Sequence, residues 1–333
     1  YGYGGGIFIG ARSRSDRTQD MARNIVRNCV ISNCWAPMGG AAVFVSGDNY
    51  LKNSSTLQKA ELTMENCIIH NNAVRNKKEN TVNQWRASAG IIQAVGNATI
   101  TMKHCTVVNN VGTVFSAYNH NGGTATISVT NSAIYSNATD SLTDRTQLKT
   151  DGTNLAALYY IGANGNAPTG SNNQIDLIYN TKGIGAASTD AFKPTFGNDR
   201  SNDHTYPRFV NPVRTIFVQR NADDPTLYGG TIDYTPMNMN PMVNAASVAD
   251  GENVKTETDF ALNHRNYGGK PDIGAIENTT QPENGTTYFV RTPETGGDDT
   301  HDGLSWATAF ATIGHALDKA KTGKKSVWVA QGV

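Results

Sequence analysis

Aspartates, cysteines, histidines and aromatic rings are the side chains here that could do chemistry, and their spacing narrows what that chemistry is. Asp298, Asp299 and Asp302 share one short polar loop, GGDDTHDG at 296–303. Hard cations bind where several oxygen ligands converge, so this loop is a candidate Ca²⁺ site, with a solvated polar turn as the alternative. Asp223-Asp224, followed by Pro225, reads as a turn. Trp35, Trp85, Tyr118 and Tyr135 fall in or beside loops or at outward positions, where an aromatic face either stacks on a sugar ring or packs locally. His70, His104, His120, His204, His264, His301 and His315 show no HxH or HExxH spacing, which a zinc site would display. Cys29, Cys34, Cys67 and Cys105 have neither the CxxC pairing of a metal site nor the density of a disulfide scaffold. The glycine-rich stretch YGYGGG at 1–6 lacks the following helix that a nucleotide-binding loop requires, and no nucleophile elbow is present.

The elements that must position these residues are short and numerous. The 333-residue chain carries 28 Lys+Arg and 28 Asp+Glu, so no strong net field draws it to nucleic acid or to anionic lipid. Charged residues make up only 17% and hydrophobic ones 38%, alongside 33 glycines, a profile of turns and polar stacked positions rather than of helices. No run of about 18 apolar residues exists to span a membrane. The first residues do not read as a signal peptide, and both ends read as interior to a longer polypeptide.

Four segments align without gaps: Ile25–Cys34, Thr63–Asn72, Thr101–Asn110 and Ser128–Asn137. Their shared pattern is apolar, polar, Asn or His, Cys or Ser, any residue, apolar, then Asn soon after. The Cys or Ser position recurs at 29, 67, 105 and 132, a fixed motif with variable loops between. Between the motifs lie Gly-led apolar runs such as Gly39–Val45, Gly90–Ile92 and Gly112–Phe115. Each period therefore offers about three strand-length pieces rich in β-branched residues, and none offers a convincing helix. The expected solution is all-β: a right-handed, single-stranded parallel β-helix, a solenoid whose coils stack about 4.8 Å apart.

In such a stack, Asn28, Asn66, His104 and Asn131 form one structural ladder at a tight turn, where Asn tolerates left-handed backbone and its amide bonds the next coil. Asn72, Asn110 and Asn137, with Cys34 in register, form a second column. Cys29, Cys67 and Cys105 are expected to stack as small buried side chains, with Ser132 ending the run. A disulfide between neighbours and a metal or redox role are the alternatives.

Two further stretches carry a resemblance. Residues 240–246 (NPMVNAA), 258–260 (TDF) and 267–277 (YGGKPDIGAIE) are similar to the closing segment of "choice-of-anchor Q" β-helix proteins, whose pattern runs SPxINAG, TDxxGxxR and GxxDIGAYE. Pro207–Pro212 resembles the FVDP element upstream of it. Departures are Ala246 for Gly, Ile276 for Tyr, and Ala261–His264 for the common Asp-Gly turn. The repeats themselves resemble bacterial right-handed β-helix proteins of the pectate-lyase-like superfamily. Tyr288–Val290, the loop at 296–303 and Ser305–Phe310 resemble the opening of such a domain. There Thr312 is placed to cap a short helix with Phe310, Ile313, Leu317 and Ala320 available to one face, Gly323 to end it, and Val327–Gly332 to form the first coil strand. The expected division is β-helix coils over 1–200, their closing segment over 201–278, a linker over 279–285, and the cap and first strand of a second β-helix over 286–333. A window from tandem β-helices, or segments joined out of their spatial order, would each produce an end before a beginning.

The resemblance implies a bacterial cell surface or extracellular location, of the Bacteroidota kind, and three competing functions. One is a non-catalytic scaffold or adhesin-type module of a large surface protein, whose partners would be cell-surface glycans or other surface proteins. The second is a polysaccharide lyase, which abstracts a proton beside a uronate carboxylate and needs a Lys or Arg base with Ca²⁺ or Arg neutralising the acid. The third is a glycan-binding accessory protein. Arg23, Arg27, Arg75, Lys77, Lys78, Arg86 and Lys103 form the exposed basic set in which a base would lie. The first 139 residues hold only Asp16, Asp20 and Asp48, none in the repeat motif, which argues against paired-carboxylate hydrolysis there. No cofactor beyond Ca²⁺ is implied, and the scaffold reading is preferred.

Overall fold

In a computed structural model, the chain is described over residues 3–11, 22–47, 58–74, 89–120, 122–138, 158–159, 164–175, 197–199, 209–212, 232–237, 240, 242–248, 257–265, 267, 270–280, 287–321 and 326–330. Within them the fold is mostly β and built from successive repeats. The first repeat supplies β1 (Ile7–Gly10), β2 (Ala22–Arg27), β3 (Val30–Ser32) and β4 (Trp35–Ala36). The second supplies β5 (Val43–Ser46), β6 (Ala60–Glu65), β7 (Ile68–His70) and β8 (Ala73–Val74). The third gives β9 (Ile92–Val95), β10 (Ala98–Lys103) and β11 (Thr106–Val108), and the fourth β12 (Phe115–Tyr118), β13 (Thr126–Thr130) and β14 (Ala133–Tyr135). A shorter fifth gives β15 (Gly165–Asn166), β16 (Thr169–Ser171) and β17 (Asn173–Ile175).

Like strands of successive repeats pair. The orders are β1-β5-β9-β12-β15, then β2-β6-β10-β13-β16, then β3-β7-β11-β14-β17 with β18 (Gly197–Asp199) beyond. Pairing is parallel throughout these three sheets except for β15, which runs antiparallel to β12. Register follows the sequence motif: Leu62 faces Ile100, which faces Ile127, and Met64 faces Met102, which faces Val129. The inward residues of all three sheets meet in one core that includes Val43, Ile92, Met64, Met102, Val107 and Ile134. Each such side chain, fully withdrawn from water, contributes about 1.5–3 kcal/mol.

Two sets of tight bends turn the chain from sheet to sheet. Asn28, Asn66, His104, Asn131 and Asn172 have φ of 52°, 52°, 49°, 50° and 57°, and Asn33, Asn71, Asn109 and Ser136 have φ of 58°, 55°, 55° and 53°. Left-handed backbone costs a side-chain-bearing residue about 1–2 kcal/mol, which Asn offsets by bonding locally. The second set bends the chain just after the third-sheet strands and was not anticipated from the sequence.

The described residues between 209 and 280 lie along the side of repeats two to five. β19 (Phe209–Asn211) pairs antiparallel with β20 (Asp233–Pro236). Phe209, Tyr234, Met242, Ala246, Ile273 and Ala275 then cover the outward face of the third sheet at Ile68, Val108, Ala133 and Tyr135. This covering segment is called the strap below.

The described residues over 287–321 and 326–330 include β21 (Thr287–Val290), which pairs parallel with β22 (Ser326–Val329) beside α1 (Ile313–Lys321). The Thr312 hydroxyl accepts a hydrogen bond from the His315 N–H at 3.3 Å, so Thr312 caps α1. The helix face differs from expectation. Ala316 and Ala320 are buried, with Ala316 packing against Val290 and Phe310, because small residues let the helix approach closely. Ile313 and Leu317 are 40% and 49% exposed. Gly323 lies outside the described residues. Among those residues no helix is long and apolar enough to cross a membrane.

Candidate functional site

A groove of about 330 Å³ runs where the strap meets the first three bends of the stack. Its floor is Asn28, Asn66 and His104, one wall is Arg27, Glu65 and Lys103 from the ends of β2, β6 and β10, and the other is Glu257, Thr258 and Arg265 of the strap. The first wall alternates in charge because parallel register sets Arg27 beside Glu65 and Glu65 beside Lys103. Arg27 Nε lies 2.6 Å from Glu65 Oε2, and Lys103 Nζ lies 3.7 Å from Glu257 Oε2.

The ladder is stacked, yet its amide chain is interrupted. Asn66 Nδ2 donates to Asn28 Oδ1 at 3.1 Å, and Asn172 Nδ2 donates to Asn131 Oδ1 at 2.9 Å. His104 has no amide to continue the series. Asn131 Nδ2 approaches its Nε2 at 3.5 Å, while Nδ1 lies 3.2 Å from the carbonyl of Asp272. A carbonyl can only accept, so Nδ1 carries the proton and Nε2 is the acceptor. Burial, then the charges of Arg265 and Lys103, hold this ring's pKa well below the ordinary histidine value. The place left beside Asn66 is taken by the strap, as Arg265 Nη2 donates to Asn66 Oδ1 at 2.8 Å.

Arg265 is 1% exposed and also donates to the carbonyls of Gly274 and Ala275, each at 3.1 Å. Its Nη1 lies 3.4 Å from Glu277 Oε2. Around this cation, Asp272 accepts the backbone N–H groups of Asn244 and Asn278, both at 2.7 Å, and Asp259 accepts those of Asn263 and Glu277, both at 2.8 Å. Burial pushes the Asp272 carboxyl up to about 7, and burial with the Asp272 charge pushes Glu277 up to about 9. Gly274, at φ 107°, lets the strap backbone donate to the Asn131 carbonyl at 2.9 Å. A Cβ there would sit 3.0 Å from the Thr106 hydroxyl. Leu262, at φ 68°, occupies the left-handed position where the resembled TDxxGxxR pattern has Gly.

The second column forms as a run of buried amides. Cys34 N–H donates to Asn72 Oδ1, Asn72 N–H to Asn110 Oδ1 and Asn110 N–H to Asn137 Oδ1, at 3.0, 3.0 and 3.1 Å. The thiols follow the same register, each donating to a carbonyl two residues back. Cys67 and Cys105 are buried, but Cys29 is exposed because β2 is the outermost strand of its sheet among the described residues. Burial raises the Cys105 thiol well above its ordinary pKa. All four cysteines are free thiols.

The four aromatic candidates do not come together. Trp35 is 47% exposed on β4. Tyr118 is half-buried at the end of β12, with its hydroxyl accepting from Asn164 Nδ2 at 3.3 Å. Tyr135 points outward from its sheet as expected of its position, but the strap covers it and it is 0% exposed, so it offers no ring to a sugar. Trp85 lies outside the described residues, as do Asp223, Asp224, Arg75, Lys77, Lys78 and Arg86.

Asp298, Asp299 and Asp302 do not converge either. Asp298 accepts from Thr300 and Asp302 from Leu304 and Thr308, each closing a local turn, while Asp299 accepts from Ala311 and Thr312 and ties the loop to the start of α1. Those hydrogen bonds lower the Asp298 and Asp302 carboxyls below the usual range. Among the described residues no group of three His, Cys, Asp or Glu side chains is gathered for a metal.

Sequence reasoning missed Glu257, Arg265, Asp259, Asp272 and Glu277. The available signal was a set of charged residues inside an otherwise apolar closing motif. No protein family, curated protein or solved structure matches the chain.

Proposed function

We propose that this chain is a right-handed parallel β-helix module that serves as a non-catalytic, extracellular scaffold or adhesin-type element of a large bacterial surface protein, with a strap of the choice-of-anchor Q kind. The cyclic passage of the chain through three parallel sheets supports the solenoid, and parallel strand-to-strand crossovers are right-handed in about 98% of cases. The observation that carries the non-catalytic reading is charge pairing in the groove. Arg27 is matched by Glu65 and Lys103 by Glu257, and Arg265 is enclosed by the acidic groups of Glu277, Asp272 and Asp259, so each cation is already engaged by acidic side chains that the fold itself supplies. A base poised for proton abstraction needs the opposite arrangement, an uncommitted group facing the site of the proton.

The test is incubation with pectin, alginate and glycosaminoglycans, with and without Ca²⁺, following the ultraviolet absorbance of unsaturated uronate ends, together with a glycan array. The scaffold reading expects no turnover and no retained glycan. Calcium-dependent turnover abolished by Lys103→Ala would replace it with a lyase, and tight binding without turnover would replace it with the accessory reading.

A further inference from the structure

The strap is seated on the stack in two ways. Around Arg265 it is bonded to it: Gly274 N–H donates to the Asn131 carbonyl and Ala275 N–H to the Thr106 hydroxyl, each at 2.9 Å, beside the 2.8 Å bond from Arg265 to Asn66. The β19–β20 pair rests on side chains instead. Tyr234 of β20 meets Phe209 of β19 edge-on, with ring centroids 5.3 Å apart, and its ring lies 5.5 Å from that of His70 on β7. Asn109 Nδ2 reaches the Tyr234 hydroxyl at 3.4 Å.

His70 stands on the third sheet in register with Ser32 and Val108, and Val108 with Tyr135. It is 4% exposed, and its Nδ1 has no hydrogen-bond partner among the described residues. Its surroundings carry no counter-charge. β3, β7, β11, β14 and β19 contain no Asp, Glu, Lys or Arg, and the bends beside them are Asn33, Asn71, Asn109 and Ser136. β20 has Asp233, whose carboxylate accepts the Thr235 N–H at 2.8 Å. The strap's other acids, Asp259, Asp272 and Glu277, gather about Arg265. A neutral imidazole is tolerated in such a place, but an imidazolium is costly there because a buried charge needs a partner.

We propose that the β19–β20 pair is an acid-released cover: a proton taken up by His70 lifts Tyr234 and Phe209 from the third sheet while the Arg265 half of the strap stays bonded. Lifting uncovers the apolar outward face at Val108 and Tyr135. The imidazolium reaches water only when the pair lifts, so acid favours the open arrangement. The acids about Arg265 respond oppositely. Burial raises the Asp272 and Glu277 carboxyls, so protons bind them more readily in the folded chain and the same acid does not loosen that half. Burial alone holds His70 at about 4 against an ordinary 6.5, and that gap makes opening about thirtyfold more frequent at pH 5 than at pH 7.5.

The test places a thiol beneath the cover, by Val108→Cys in a Cys29→Ser, Cys34→Ser background of the full chain. Its reaction with a dithiodipyridine, which attacks thiols in acid as well as at neutral pH, is followed by peptide mapping. At each pH the rate is divided by that of the urea-unfolded chain, which removes the thiol's own titration. The normalised rate is expected to rise about thirtyfold from pH 7.5 to pH 5, while Cys67 and Cys105, on the core side of the stack, stay protected. His70→Gln is expected to hold the rate flat over the same range, as is His70→Phe, which keeps a ring against Tyr234. Protection of Cys105 at pH 7.5 reports that each variant is folded. A rise that persists in both variants, an equal rise at Cys67 and Cys105 as the whole stack unfolds, or no rise in the chain that keeps His70 would each overturn the proposal.

Discussion

In the repeats, Asn110 is buried and neutral: its amide nitrogen donates to the carbonyls of Ile69 and Val108, each at 3.0 Å, and its oxygen accepts the Asn72 N–H at 3.0 Å. In the strap, Arg265 is equally buried but charged, and is held by Glu277, three carbonyls and one ladder amide. Both arrangements satisfy polar groups away from water. An amide column does so without titrating and can be repeated indefinitely. An ionic cluster is assembled once and is sensitive to its protonation. The strap meets the stack at the other ladder, where His104 lacks an amide and the strap supplies a guanidinium to Asn66 instead.

The strongest way to break this comparison is to remove the cation. Arg265→Ala leaves Asp259, Asp272 and Glu277 buried without their counter-charge and is predicted to cost about 3–5 kcal/mol in urea unfolding. The paired change Arg265→Met with Glu277→Leu is predicted to recover only part of that loss, because Asp259 and Asp272 stay buried and are then held by backbone N–H groups without a counter-charge.

Titration sharpens the contrast next. Asp272 and Glu277 hold protons in the folded chain that they lose when unfolded, their pKa values rising from 3.8 to about 7 and from 4.5 to about 9. Their contribution therefore falls as pH rises through those ranges. His70 works the other way, its pKa lowered by burial from 6.5 to about 4, so its contribution is lost as pH falls through that window. Above pH 6.5 the carboxyls act without this opposition. The unfolding midpoint is predicted to decline from pH 7 to pH 9, and Glu277→Gln is predicted to flatten that decline. An unchanged slope in the variant would remove Glu277 as its cause.

Within the column, Asn110→Ala strips partners from the Asn72 N–H and from two buried carbonyls, and is predicted to cost about 1–3 kcal/mol. Asn28→Ala at the open edge is predicted to cost less, because water reaches the groups it leaves. The smallest effect has the opposite sign. Leu262→Gly relieves left-handed backbone at a residue that is 68% exposed, and is predicted to stabilise by about 1 kcal/mol in thermal unfolding.

The repeats were legible because parallel stacking turns sequence spacing directly into contact. Asn66 lies 38 residues after Asn28 and bonds it, and the register of Met64 with Met102 follows the same alignment. The second bend at Asn33, Asn71 and Asn109 lies one residue before the column positions Cys34, Asn72 and Asn110, and spacing alone does not separate a turn-forming Asn from a column-forming one. The strap was illegible in a different way. Nothing periodic connects Arg265 to Asn66, 199 residues away, and an outward Tyr135 could not be known as covered until Tyr234 and Met242 were placed over its sheet. Asp298, Asp299 and Asp302 left both a cation site and a polar turn open, because proximity in sequence says nothing about whether three carboxylates aim at one point or each bind a different stretch of backbone.

The register of the stack is tested most directly by spin labels on the solvent-facing pair Thr63 and Thr101, which sit side by side on β6 and β10. Both would be changed to Cys in a Cys29→Ser, Cys34→Ser background, which leaves the buried Cys67 and Cys105 thiols in place. Neighbouring strands lie about 4.8 Å apart, so the doubly labelled chain is predicted to show strong dipolar broadening that vanishes in urea. Sharp, non-interacting lines from the folded double-labelled chain would contradict the stacking of its repeats.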